Sequence, residues 1–155
     1  MSKVVIGLFH DRDMAEDTVM ELKDEGYEKE ISLVVKDEQS DPGGMGDQNL
    51  MEGTVTGGVL GGIAGLLAGA GALLIPGIGP IVAAGPFAAT LAGLVGGGLA
   101  GGLIDYGVPE SRGEYYAERV RQGNVLITLE SSDAHVDDAV SILRANGAKD
   151  VEVHG

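Results

Sequence analysis

Few residues in this chain are equipped for chemistry. Three histidines, His10, His135 and His154, stand at loop or terminal positions, and no metal-ligand spacing relates them. His10 adjoins Asp11 and Asp13, and His135 follows Ser131, Ser132 and Asp133. Both histidines come after strands expected to be equivalent, which would set a small polar or cation site at one end of a sheet. Helix capping by Asp13 and Asp133 explains the same residues more simply, and a Ser-Ser-Asp run ahead of a helix is far more often a cap than a nucleophile beside a base. Gly69-Ala70-Gly71 and Gly77-Ile78-Gly79 are fragments of a dinucleotide fingerprint, without its third glycine or its acidic residue. A phosphate loop is excluded because the whole glycine-rich region has no lysine. The chain has no cysteine, and so no thiol nucleophile, disulfide or Cys-ligated zinc. The expectation is a protein without catalytic residues, metal or cofactor.

The elements that would position any site come from the two ends, which repeat each other. Lys3 to Phe9 is an apolar, β-branched run. A helix follows, with Ala15, Val19 and Leu22 at helical spacing and Gly26 at its close, and Ile31 to Val35 reads as a second strand. Near the C-terminus, Asn124 to Leu129 is a strand, Ser131 to Asp133 a loop, and Val136 to Leu143 a helix closed by Gly147. Val151 to Val153 is a last strand. Each end is one β-α-β unit. Two such units predict an α+β, ferredoxin-like four-stranded antiparallel sheet with both helices on one face, built from residues 1–40 and 107–155.

Between these halves the chemistry changes abruptly. After a linker, 41–53, the segment from Thr54 to Ile104 carries no charged side chain and holds 16 glycines in 51 residues. Gly57, Gly61, Gly65 and Gly69 recur every fourth residue, as do Gly93, Gly97 and Gly101, so on helices each series is a smooth stripe for close helix packing. Thr54 to Leu74 and Phe87 to Tyr106 are each long enough to cross a bilayer's hydrocarbon core as helices, about 30 Å. Pro76, Gly77, Gly79, Pro80, Gly85 and Pro86 would form the turn between them. The prediction for 54–106 is an apolar helical hairpin projecting from one edge of the sheet. From Pro109 to Gly123 a short amphipathic helix follows, whose Tyr115 and Tyr116 are expected to cover the sheet.

Charge restricts the partners. Residues 1–53 hold 5 Lys/Arg against 14 Asp/Glu and residues 105–155 hold 5 against 10, giving a net charge of −14. Nucleic acid is excluded as a partner, since phosphate binding needs clustered cations, and adhesion to anionic headgroups is disfavoured. The partners left are a second copy of the chain and the apolar interior of a bilayer. The short apolar run before Asp11 is no secretory signal, so the expected location is the cytoplasmic face of the membrane, or the cytoplasm as a soluble oligomer.

The order of these elements, with Leu74-Ile75-Pro76-Gly77-Ile78-Gly79-Pro80, Ala83-Ala84-Gly85-Pro86 and Gly107-Val108-Pro109-Glu110, resembles the general stress and low-temperature-induced protein family of bacteria and archaea. The resemblance implies a stress-associated protein with a glycine-zipper hairpin and no catalytic residues to carry over. Three functions follow as expectations. They are membrane association with oligomerisation through the glycine stripes, a soluble ring, cage or filament with hairpins buried in a shared core, and small-molecule sensing by the paired β-α-β units.

Overall fold

The computed structural model describes residues 2–27, 30–36, 71–75, 78–93 and 98–154. Its strands are β1 (Ser2–Phe9), β2 (Ile31–Lys36), β3 (Gly71–Ile75), β4 (Gly79–Ala84), β5 (Val125–Ser132) and β6 (Lys149–His154). Its helices are α1 (Arg12–Asp24), α2 (Pro86–Gly93), α3 (Gly98–Asp105), α4 (Glu110–Arg121) and α5 (Val136–Ala145). The described strands form one six-stranded sheet in the order β3-β4-β2-β5-β1-β6, with every pairing antiparallel.

The two terminal β-α-β units supply the four strands β2-β5-β1-β6. Val5 pairs with Leu129 and Leu129 with Ile31, so one row of apolar side chains runs across three strands. Alternation along β1 and β5 sends Val5, Phe9, Val125, Ile127 and Leu129 to one face, and Val4, Ile6, Leu8 and Leu126 to the other. The first face is covered by α1 through Ala15, Val19 and Leu22 and by α5 through Val136, Ala139 and Leu143. In each helix the buried residues lie three, four or seven apart, the spacing of one helical stripe.

Local signals fix the helix ends, though not always at the expected residue. Asp11, rather than Asp13, caps α1, its side chain accepting from the Asp13 N–H at 2.8 Å. Asp133 does not cap α5, whose N-cap position is His135 and has no side-chain cap, and Ser131 and Ser132 lie within β5, not in a loop. Gly26 and Gly147 end α1 and α5 in the left-handed region, at φ +96° in both.

The segment between the halves departs from the helical hairpin expected of it. Its residues Gly71–Ile75 and Gly79–Ala84 are strands, so Leu74, placed above at the end of a helix, is paired with Pro80 across a β-hairpin. The hairpin lengthens the sheet, β4 pairing with β2 from Leu33↔Ala84 to Lys36↔Ile81. Pro80 precedes the first residue of β4 that pairs with β2, so its missing N–H leaves that ladder intact. The chain then crosses to the sheet's second face. Phe87 and Leu91 of α2, Leu99 and Leu103 of α3, and Tyr116 and Val120 of α4 are buried there with Val34, Ile81 and Leu126. Where one long helix over 87–106 is expected, the described residues form helices over Pro86–Gly93 and Gly98–Asp105, and Gly98 takes a left-handed conformation at φ +66°. No helix among the described residues is long and apolar enough to cross a membrane. Residues 54–70, the rest of the expected first helix, lie outside the described residues.

Candidate functional site

The two edges of the sheet are built very differently. At the β6 edge, Lys149, Asp150, Glu152 and His154 put charged or titratable groups along the strand, and α4 ties it down. Arg112 forms an ion pair and hydrogen bond with Glu152, whose other carboxylate oxygen lies 2.7 Å from His154 Nε2. The Tyr115 hydroxyl donates to Asp150 Oδ2 at 2.5 Å and the Tyr116 hydroxyl to the Asp150 carbonyl at 2.8 Å. The Arg112 guanidinium stacks 4.4 Å from the Tyr115 ring centre, and Arg119 lies 5.0 Å from the same ring.

This clamp fixes a bulge. The register of β6 on β1 shifts between Ile6↔Glu152 and Leu8↔Lys149, and Asp150 takes the left-handed conformation, φ 54°, that an extra residue on one strand often demands. Burial works against ionisation of Glu152, but its interactions with Arg112, His154 and Tyr116 outweigh that and hold its carboxyl below the usual carboxylate range. Burial, reinforced by the Glu152 charge, pushes the Tyr116 phenol up, so it stays a neutral donor. Charge, a bulge and a helical clamp together are the devices that keep a sheet edge from pairing with another chain.

The β3 edge has no such charge. Gly71-Ala72-Leu73-Leu74-Ile75 contains neither a charged residue nor a proline, and it continues directly from the uncharged residues 54–70. Among the described residues no strand pairs with its outer side. In an antiparallel pair, alternate residues direct their N–H and C=O groups away from the partner, which makes such an edge a template for a further strand. This edge, with the segment leading into it, is the candidate functional site.

The residues expected to build an interface are dispersed by the fold. Gly57, Gly61, Gly65, Gly69, Pro76, Gly77 and Gly97 lie outside the described residues. Gly93 ends α2, and a Cβ on Gly101 would meet nothing within 4 Å. The close approach is one residue later. A Cβ on Gly102 would lie 2.7 Å from Leu91 Cδ2 and 3.1 Å from the Phe87 ring, and one on Gly113 would lie 3.2 Å from the Ala100 carbonyl oxygen. Gly79 and Gly85 do serve turns, at φ +98° and +88°. At Gly85 the backbone also presses on β2, where Ser32 Oγ accepts from the Phe87 N–H at 2.9 Å and so caps α2 from a neighbouring strand. Pro86 starts α2, where its missing N–H costs nothing.

The polar grouping expected around two histidines does not assemble. β1 and β5 run antiparallel, Phe9 facing Val125 and Ser2 facing Ser132, so His10 and His135 lie at opposite ends of the sheet. His135 instead meets the Tyr27 ring edge-on at 6.5 Å. No cluster of three or more His, Asp or Glu side chains among the described residues could hold a metal ion. The expectation that Tyr115 and Tyr116 cover the sheet holds for Tyr116, which is fully buried, while Tyr115 lies partly exposed at the edge clamp. Tyr106 packs on Phe87 with ring centres 4.9 Å apart. The β3 strand and the α4–β6 clamp had no signal of their own in the sequence beyond an apolar run and two adjacent tyrosines. No protein-family model, no curated protein and no solved structure matches this chain.

Proposed function

We propose that this protein is a non-enzymatic, stress-associated, self-assembling protein in which residues 54–75 form the association element and the acidic remainder keeps the assembly in solution. The carrying observation is the asymmetry of the sheet: a charged, clamped edge at β6 and an uncharged edge at β3, entered from an uncharged stretch. A second copy is the occupant best matched to β3, because an uncharged strand pairs with its own kind without juxtaposing like charges, whereas the −14 bodies repel one another elsewhere. The reading agrees with the resemblance to the general stress and low-temperature-induced family and with a ferredoxin-like arrangement of the four strands β2-β5-β1-β6.

Burial of four large apolar side chains that follow the expected turn also favours a soluble assembly over a hairpin spanning the membrane. Phe87, Leu91, Leu99 and Leu103 are removed from water by the sheet, each stabilising the fold by about 1.5–3 kcal/mol, so these side chains need no lipid. Residues 54–70 favour a second reading, reversible contact with a bilayer, since 17 uncharged residues would reach about 25 Å as a helix. Flotation of the detergent-free protein with liposomes, combined with light scattering on what fails to float, separates the two. The proposal expects a particle of several chains in the unfloated fraction. A protein that floats quantitatively and resists carbonate extraction would replace it with the bilayer reading, and a monomer that does not float would sink both.

A further inference from the structure

At the end of the sheet where β1 finishes and β5 and β6 begin, three strands and the last turn of α4 enclose a depression of about 120 Å³. It is lined by Leu8, His10, Arg119, Asn124, Lys149 and Asp150. That volume is several times the roughly 10–15 Å³ that one ordered water requires. Strand register makes the grouping: Leu8 faces Lys149 across β1 and β6, and Phe9 faces Val125 across β1 and β5, which brings His10 and Asn124 to the same rim.

The charge here opposes that of the molecule as a whole. Arg119 and Lys149 converge here, with the His10 imidazole beside them, on a chain of net charge −14, where exposed cations usually face carboxylates. The side chains of Lys149 and His10 make no hydrogen bond or ion pair with any described residue, and Arg119 is directed by its bond to Gln122 Oε1 at 3.1 Å and by the Tyr115 ring. The one carboxylate at the rim, Asp150, already accepts the Tyr115 hydroxyl. Asn124 is buried to 6 % exposure and is held by donating to the Arg119 carbonyl at 3.0 Å.

We infer that this depression binds a small oxyanion, a phosphate or carboxylate group, held by Arg119 and Lys149 with His10 at the rim. Arg119 offers a planar fork suited to two oxygens and Lys149 a mobile point charge. The site is independent of the β3 edge and of assembly through it.

The test is titration of the full-length protein with inorganic phosphate and, separately, acetate, at ionic strength matched with chloride, followed by amide and imidazole chemical shifts. Saturable shifts confined to residues 8–11, 119–124 and 149–150, with a Kd on the order of 1 mM, are expected from at least one of the two anions. Saturation by phosphate alone assigns the phosphoryl group, and saturation by acetate alone the carboxylate. Lys149→Gln, at an exposed position that leaves the fold intact, should weaken binding about tenfold, and a charge-retaining Lys149→Arg should restore it. Shifts that follow both anions linearly without saturating, or that are the same in Lys149→Gln, would overturn the assignment.

Discussion

Replacing Gly85 by alanine tests whether the inserted segment is a structural part of the sheet. Gly85 sits at φ +88°, and a Cβ there would lie 2.1 Å from the Ile31 carbonyl oxygen and 2.8 Å from Ser32 Cα, both backbone atoms of β2. The left-handed conformation alone costs a non-glycine residue about 1–2 kcal/mol. The contact cannot be relieved by turning a side chain, so β2 and the start of α2 must separate, which loses the Ser32 cap on the Phe87 N–H, worth about 0.5–2 kcal/mol, and loosens Phe87. With partial loss of Phe87 burial, about 1 kcal/mol, these predict a loss of about 2.5–5 kcal/mol, a large part of a typical stability of roughly 5–15 kcal/mol. Gly26→Ala is the matched control, because Gly26 has φ +96° with nothing within 4 Å of a Cβ, leaving only the conformational cost of about 1–2 kcal/mol. Urea unfolding followed by circular dichroism gives both differences from the midpoints at constant m. If Gly85→Ala proves no more destabilising than Gly26→Ala, the segment does not pack on β2 as described, and a hairpin standing away from the sheet would return as the better account.

Gly101 and Gly102 give a second test: Gly101→Ala should be neutral or stabilise by up to about 1 kcal/mol through helix propensity, while Gly102→Leu should cost about 2–3 kcal/mol by forcing Leu91 and Phe87 apart, both read from thermal unfolding. Thr128 is buried with its hydroxyl unpartnered among the described residues, so the isosteric Thr128→Val should raise stability by about 1 kcal/mol, and a loss would mean that the hydroxyl has a partner. Glu152 has a lowered pKa, so its contribution is present above the ordinary carboxylate value near 4.5 and fades as pH falls through its folded value. Glu152→Gln should therefore be destabilised by about 1 kcal/mol at pH 7, with the difference closing under acid conditions when unfolding is measured across that range.

The terminal units were legible because their signals are local. Ala15, Val19 and Leu22 repeat at helical spacing, Gly26 and Gly147 stop helices, and the apolar runs of β1 and β5 are too short for helices. The insertion was not legible for the opposite reason. Gly71–Ile75 and Ile81–Ala84 are short uncharged apolar runs that suit a helix or a strand equally, and the choice is made by the pairing of β4 with β2, far away in sequence, and of β3 with β4. Periodicity marked Gly101, but whether it or Gly102 faces a neighbour depends on how α2 and α3 cross, a tertiary fact. The two histidines looked adjacent by analogy between the repeats. Strand direction, which a repeat does not reveal, sends them apart.

Association of copies through the uncharged β3 edge is tested by the light-scattering mass of the detergent-free protein beside that of Leu74→Lys, which puts a charge on that edge. The wild-type mass should be at least twice 15.8 kDa, and the Leu74→Lys variant should keep its circular dichroism but fall to the monomer mass. A wild-type protein that is already monomeric, or a folded variant whose mass is unchanged, would contradict it.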